Sequence, residues 1–154
     1  MTTTPDLAPP AAAPAAWNAS LHAEVQQFYA HQMQLLDLGE SERWAQTFTE
    51  DATFAVPTLP EPVRGRPGLV AATSRSHAEL AAAGQRHRHF IGMFDVRPLD
   101  DGAVDVRSYA IVYVSHIGGD SAVHRVCVCE DRLVRGDDGT LRVLARTVTR
   151  DDLA

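Results

Sequence analysis

Lysine is absent from this chain: all fourteen basic residues are arginines, and against twenty acidic ones they leave a formal net charge of −6. The arginines are scattered instead of clustered, so the basic patch of a nucleic-acid binder is missing and nucleic acid is not expected as a partner. Long apolar runs are missing too. Nothing approaches the roughly 20 apolar residues of a membrane span, and no membrane association is expected. Cysteine is scarce. Cys127 and Cys129 are two apart on a predicted strand, where side chains point the same way but sit too far apart for an unstrained bridge. No disulfide is expected, which agrees with a cytoplasmic location.

What is present reads as one domain preceded by a tail, since 154 residues suffice for a single core of ordinary size. Residues 1–16 are Thr, Pro and Ala with little to bury, and a disordered tail is expected there. The segment from Ala8 to Ala16 lacks the basic start of a signal peptide and is interrupted by prolines. Order is expected from Trp17, so the domain is assigned to 17–154. Asn18 or Ser20 can cap a first helix, in which Leu21, Val25, Phe28, Gln32, Leu35 and Leu36 recur at helical spacing until Gly39, with Asp37 in the last turn.

A short helix is predicted from Glu40 to about Phe48, burying Trp44 and Phe48 on one face. A strand follows over 51–56, then prolines, then a helix that opens near Pro67 and ends near Gly84, its alanine-rich body implying close packing on a sheet. From His87 the apolar period becomes two. Strands are predicted over 87–97, 103–116, 122–135 and 140–150, separated by turns at Asp100-Asp101-Gly102, Gly118-Gly119-Asp120 and Asp137-Asp138-Gly139. Helices followed by a meander give an α+β class, with three to four helices covering one face of a curved, mostly antiparallel sheet and a pocket between the layers.

Two histidines on these strands, His89 and His116, suggest proton transfer near neutral pH. His87 and His89 share one strand face and, with Glu130 or His124, suggest a metal. A catalytic metal needs at least three convergent ligands and no second short-spaced pair is present, so no metal is expected. On the strand carrying the cysteines, Val126, Val128 and Glu130 share a face opposite Cys127, Cys129 and Asp131. If the first set faces the pocket, Glu130 is a buried carboxylate; if the second does, it is a surface charge. Tyr29, Trp44, Phe54, Phe90, Met93 and Tyr113 are core candidates, some of which line the pocket.

The order of elements, together with Trp44-Ala45-Gln46-Thr47-Phe48-Thr49-Glu50-Asp51-Ala52-Thr53-Phe54, Arg64-Gly65-Arg66, His89-Phe90-Ile91-Gly92 and the segment from Tyr109 to His116, resembles the NTF2-like superfamily, in its SnoaL-like and scytalone dehydratase-like branch. The resemblance implies a cone-shaped α+β fold and a homodimer through the open sheet face. It also implies a cofactor-independent dehydratase, cyclase or isomerase acting on a small polyketide intermediate. It places His89 as general base, Asp37 as the acid that orients it, and His116, seven residues after Tyr109, as acid or oxyanion donor. Glu130, Tyr29, Trp44, Phe54, Val128 and Tyr113 are the implied substrate contacts. Where the branch carries a small hydroxyl residue and an amide, Val128 and Glu130 stand here, which implies a different substrate. The same scaffold serves as the small subunit of ring-hydroxylating dioxygenases, so a ligand-holding protein or an oxygenase partner is the alternative.

Overall fold

The computed structural model describes residues 18–153; the expected tail and the expected start of order at Trp17 lie outside the described residues. Helix α1 (Ala19–Asp37) begins where the Asn18 side chain accepts a hydrogen bond from the Leu21 amide at 3.1 Å. Val25, Tyr29, Gln32 and Met33 recur on its buried face. It stops at Gly39, whose φ of 76° lies in the left-handed region. A Cβ at Gly39 would also meet the exposed His77 ring at 2.5 Å, which could swing aside, so it is the left-handed backbone that favours glycine here.

Helix α2 (Ser41–Ala45) is shorter than expected, because the chain turns after Trp44 and strand β1 (Phe48–Ala55) starts earlier than 51. A two-residue strand, β2 (Val63–Arg64), pairs with β1 ahead of helix α3 (Gly65–Ala82). Arg66 ties α3 to β1 by donating Nε and Nη2 to the Phe48 carbonyl at 3.0 and 2.8 Å. The meander is β3 (Gln85–Pro98), β4 (Val104–His116), β5 (Ser121–Arg135) and β6 (Leu141–Arg150), each strand within a few residues of its expected bounds. Three helices are present among the described residues, the lower of the two expected counts.

The six strands form one open sheet in the order β2-β1-β6-β5-β4-β3, antiparallel except where β6 runs parallel to β1. After β1 the chain crosses through α3 to the far edge, then meanders back until β6 fills the place beside β1. One-residue shifts interrupt the β3–β4, β4–β5 and β5–β6 ladders, and such bulges bend a sheet and increase its twist. The concave face carries the core: Val25, Tyr29 and Met33 of α1 with Trp44, Phe48, Val106, Leu133 and Val143. Tyr29 stacks on Phe94 at 5.0 Å and Trp44 meets Phe48 edge-on at 4.7 Å.

α3 departs from expectation. Its first turns pack on the core through Leu69, which is its one buried residue, and Val70, whereas the alanine-rich body beyond them is not sealed against the sheet. Thr73, Ser76, His77, Glu79 and Leu80 face a cavity instead of a core. Among the described residues, no helix is long and apolar enough to cross a membrane.

Candidate active site

The cavity measures about 800 Å³ and is walled by the end of α1, by α3, and by the inner face of β3 and β5. An acid at a helix C-terminus opposes the helix dipole and needs compensation. Asp37 finds it on β3. Its Oδ2 accepts the His89 backbone amide at 3.0 Å and its Oδ1 lies 2.6 Å from His89 Nδ1. The Asp37 side chain is 9% exposed and that of His89 24%. A carboxylate only accepts, so the His89 hydrogen sits on Nδ1 and the lone pair on Nε2, the nitrogen that Asp37 does not engage.

Alternation along β3 brings Gln85, His87 and His89 to the same wall. The more unusual feature is on β5. Arg125 pairs with Val112 while Val123 pairs with Tyr113, so His124 is the extra residue of a bulge. In a regular strand two consecutive side chains take opposite faces; here both His124 and Arg125 line the cavity. The His124 ring then lies 4.8 Å from that of His87, which is 6.2 Å from that of His89. Burial, reinforced by His124, His89 and Arg125, pushes His87 down to about 4 against the opposing pull of Asp37. Burial and the nearby Arg125 also lower His124. Among the described residues no three His, Cys, Asp or Glu side chains are placed to hold a metal ion.

The other residues singled out in the sequence separate sharply. Phe54 lines the cavity. Tyr29 and Trp44 are sealed in the core away from it. The inner face of β5 carries Cys127, Cys129, Asp131 and Leu133, which corrects the placement of Val128 and Glu130 as substrate contacts. Both belong to the outer face, where Glu130 is 64% exposed and lies 3.8 Å from Arg107. Tyr113 is on the outer face of β4 for the same reason, between Val112 and Val114 of the inner one. His116 is exposed at the end of β4 and lies 3.1 Å from Gln85 Nε2 through its own Nε2. Its cross-strand partner is Gln85, whereas that of His89 is Val112. Four residues therefore separate the two along the ladder, roughly 13 Å at strand rise, and His116 is not among the cavity walls.

Beyond the shared face of Asp131 with the cysteines, no motif in the sequence points to the pair that Asp131 forms with Arg146. Arg146 of β6 donates Nε to Asp131 Oδ1 at 2.9 Å, Nη2 to Asp131 Oδ2 at 2.8 Å and Nη2 to Gln32 Oε1 at 2.6 Å. Tyr29 Oη donates to Asp131 Oδ2 at 2.6 Å. Burial, with Asp131 alongside, raises the Tyr29 hydroxyl well above its ordinary range. Burial opposes the Arg146 charge, but Asp131 outweighs it and holds the guanidinium more firmly charged than usual. Burial likewise pushes Cys129 up to about 12, an inert thiol. Leu133 shares parity with Asp131, and this was the signal available in the sequence for which face of β5 turns inward.

The chain resembles several known proteins over most of its length. ActVI-ORFA from Streptomyces coelicolor superposes with a TM-score of 0.82 and is 33% identical, covering 89% of this chain and 99% of that one. A Catenulispora acidiphila protein, solved in complex with S-DNPA, gives 0.78 and 35%, covering 88% and 96%. The small subunit of anthranilate 1,2-dioxygenase from Burkholderia cepacia is 29% identical over 126 residues, or 75% of this chain and 78% of that protein. The SnoaL-like domain is matched over residues 17–147, and with the helix-covered curved sheet described above it follows that this chain belongs to the SnoaL-like family of the NTF2-like superfamily.

Proposed function

We propose that the chain is a cofactor-independent dehydratase, cyclase or isomerase that acts on a hydroxy-ketone or pyran intermediate derived from a polyketide, with His89 as general base and Asp37 as the residue that orients it. The observation that carries this reading is the 2.6 Å contact of Asp37 Oδ1 with His89 Nδ1 at the wall of an open cavity. The contact fixes the tautomer, leaves Nε2 basic, and offsets the charge that His89 acquires on taking a proton. A proton beside a carbonyl is acidic enough for such a base when the developing oxyanion has a hydrogen-bond donor. The volume suits a small polycyclic substrate. The polyketide class follows from the family resemblance, and the Catenulispora relative's complex with S-DNPA supports small-molecule binding in this fold.

Turnover of a panel of hydroxy-ketone and hemiketal polyketide intermediates by wild type and His89→Ala tests the reading. The substitution is expected to lower kcat by about 10²–10⁴-fold with the circular-dichroism spectrum and melting temperature retained. Equal turnover by the two proteins overturns it, as does tight binding by wild type without turnover, which makes the cavity a ligand holder.

The similarity to a dioxygenase small subunit favours a second reading, an accessory chain of an oxygenase, which stable co-purification with a large iron-containing chain would establish. We further propose a homodimer through the outer sheet face, where Tyr109, Tyr113, Val123 and Val126 are exposed. The two free thiols and the absence, among the described residues, of a helix able to cross a membrane support a cytoplasmic location.

A further inference from the structure

The acid/base reading leaves one role unfilled. Abstraction of a proton next to a carbonyl needs a donor to the oxygen on which charge develops, and His116, beside Gln85 at the end of β4, lies roughly 13 Å along the ladder from His89. We propose that His87 is the second catalytic residue of this site, donating a ring N–H to the carbonyl oxygen of the substrate, and that His124 is the residue that positions its ring. The proposal rests on the reading of His89 as base.

The geometry that points to it is the β5 bulge. Without the extra residue, His124 and Arg125 would take opposite faces; with it, both enter the cavity and the His124 ring comes to 4.8 Å from His87 at an interplanar angle of 35°. His87 and His89 stand two apart on one strand face with centroids 6.2 Å apart, a separation that allows one to reach an α-hydrogen and the other the oxygen on the adjacent carbon. The titratable and charged groups that line the cavity with His87 are Asp37 from α1, His77 and Glu79 from α3, Arg86 and His89 from β3, and His124 and Arg125 from β5. Asp37 is engaged by His89, and burial, reinforced by His124, His89 and Arg125, keeps His87 neutral near pH 7. Neutrality serves the step twice. A neutral imidazole donates a hydrogen bond to an enolate without giving up its proton, and an uncharged neighbour does not suppress the protonation of His89.

A β-hydroxy ketone loses water through an enolate. His89 Nε2 takes the α-hydrogen as a proton, the C–H electrons form a carbon–carbon double bond, and the carbonyl π electrons move to oxygen, which His87 N–H binds. The carbonyl then re-forms, the double bond shifts to the β-carbon, and the β-C–O bond breaks. The departing hydroxyl receives the proton from His89 and leaves as water, returning both imidazoles to their starting states.

The test compares wild type, His87→Phe, His87→Gln, His124→Gln and His89→Ala on the substrate panel, each checked by circular dichroism. His87→Phe is expected to lower kcat by about 100-fold with KM changed less than threefold, and His87→Gln, which keeps an N–H donor, to recover at least tenfold of that loss. His124→Gln is expected to lower kcat by about tenfold with KM changed less than threefold, because the His87 ring loses the neighbouring ring that orients it. If His87→Phe fails to fold, His87→Leu replaces it. A kcat for His87→Phe within threefold of wild type, on a substrate that His89→Ala does not turn over, overturns the role of His87 and leaves that of His89 standing. If wild type turns nothing over, the reading of His89 fails, and 2-naphthol decides the proposal as a mimic of the enolate. Binding at least tenfold tighter to wild type and His87→Gln than to His87→Phe, with stronger naphtholate emission, supports the donor. Equal binding overturns it.

Discussion

Two carboxylates reach a partner across the concave face of this sheet, and they differ in what is left over. Asp131 accepts from Arg146 and Tyr29, and Arg146 goes on to Gln32; the two charged side chains are 0% and 2% exposed. Rings of Tyr29, Phe48 and Phe54 lie within 6 Å of the guanidinium carbon. Asp37 also accepts two hydrogen bonds, but its partner His89 keeps one ring nitrogen that Asp37 does not engage, beside an open cavity. The same kind of pair is structural where it is sealed and saturated, and becomes chemically useful where a donor or acceptor remains at a surface that a ligand can reach.

The strongest way to break that contrast is at the sealed pair. Asp131→Ala leaves Arg146 buried and uncompensated, and we expect a loss of about 3–5 kcal/mol, read as a fall in melting temperature of roughly 10 °C. Replacing both residues at once by Leu and Met should cost less than this single change. At the open pair the effect should fall on rate. Asp37→Asn is expected to lower kcat by about 10²–10³-fold through loss of the correct His89 tautomer, while the melting temperature moves by no more than about 3 °C.

A smaller effect lies in the pH dependence of stability. The unfolded chain, with His87 at its ordinary 6.5, binds a proton that the folded chain, near 4, does not. The unfolding free energy should therefore fall as pH drops from 6.5 to 4 and then level off. The cavity admits solvent, so the His87 contribution is about 1 kcal/mol, measurable as the difference in slope between wild type and His87→Gln in urea titrations. Smallest of all is the outer face. Glu130→Gln is expected to change kcat less than twofold and stability by less than about 0.5 kcal/mol; a large loss of activity would return Glu130 to the site.

The elements were legible because each carries local signals that agree. Asn18 and Gly39 bracket α1, and three turns rich in Asp and Gly punctuate a meander of period two. The juxtaposition of Asp37 with His89 was expected from the resemblance. The face of β5 was harder to read. Cys127, Val128 and Cys129 are all apolar, so alternation gives no parity there; the parity lies four residues on, where Leu133 turns in with Asp131 and Arg132 turns out with Glu130. α3 was misread because small residues suit either close packing or a cavity wall.

By itself the sequence determined the class, the first and third helices and the four strands of the meander, because caps, turns and apolar period act over a few neighbouring residues. Only the tertiary structure decided which side chains meet. A single inserted residue in the β4–β5 register turns His124 into the cavity, and four residues of strand carry His116 away from His89. Register and bulges arise from pairing between strands distant in the chain, and a shift of one residue sends a side chain to the opposite face.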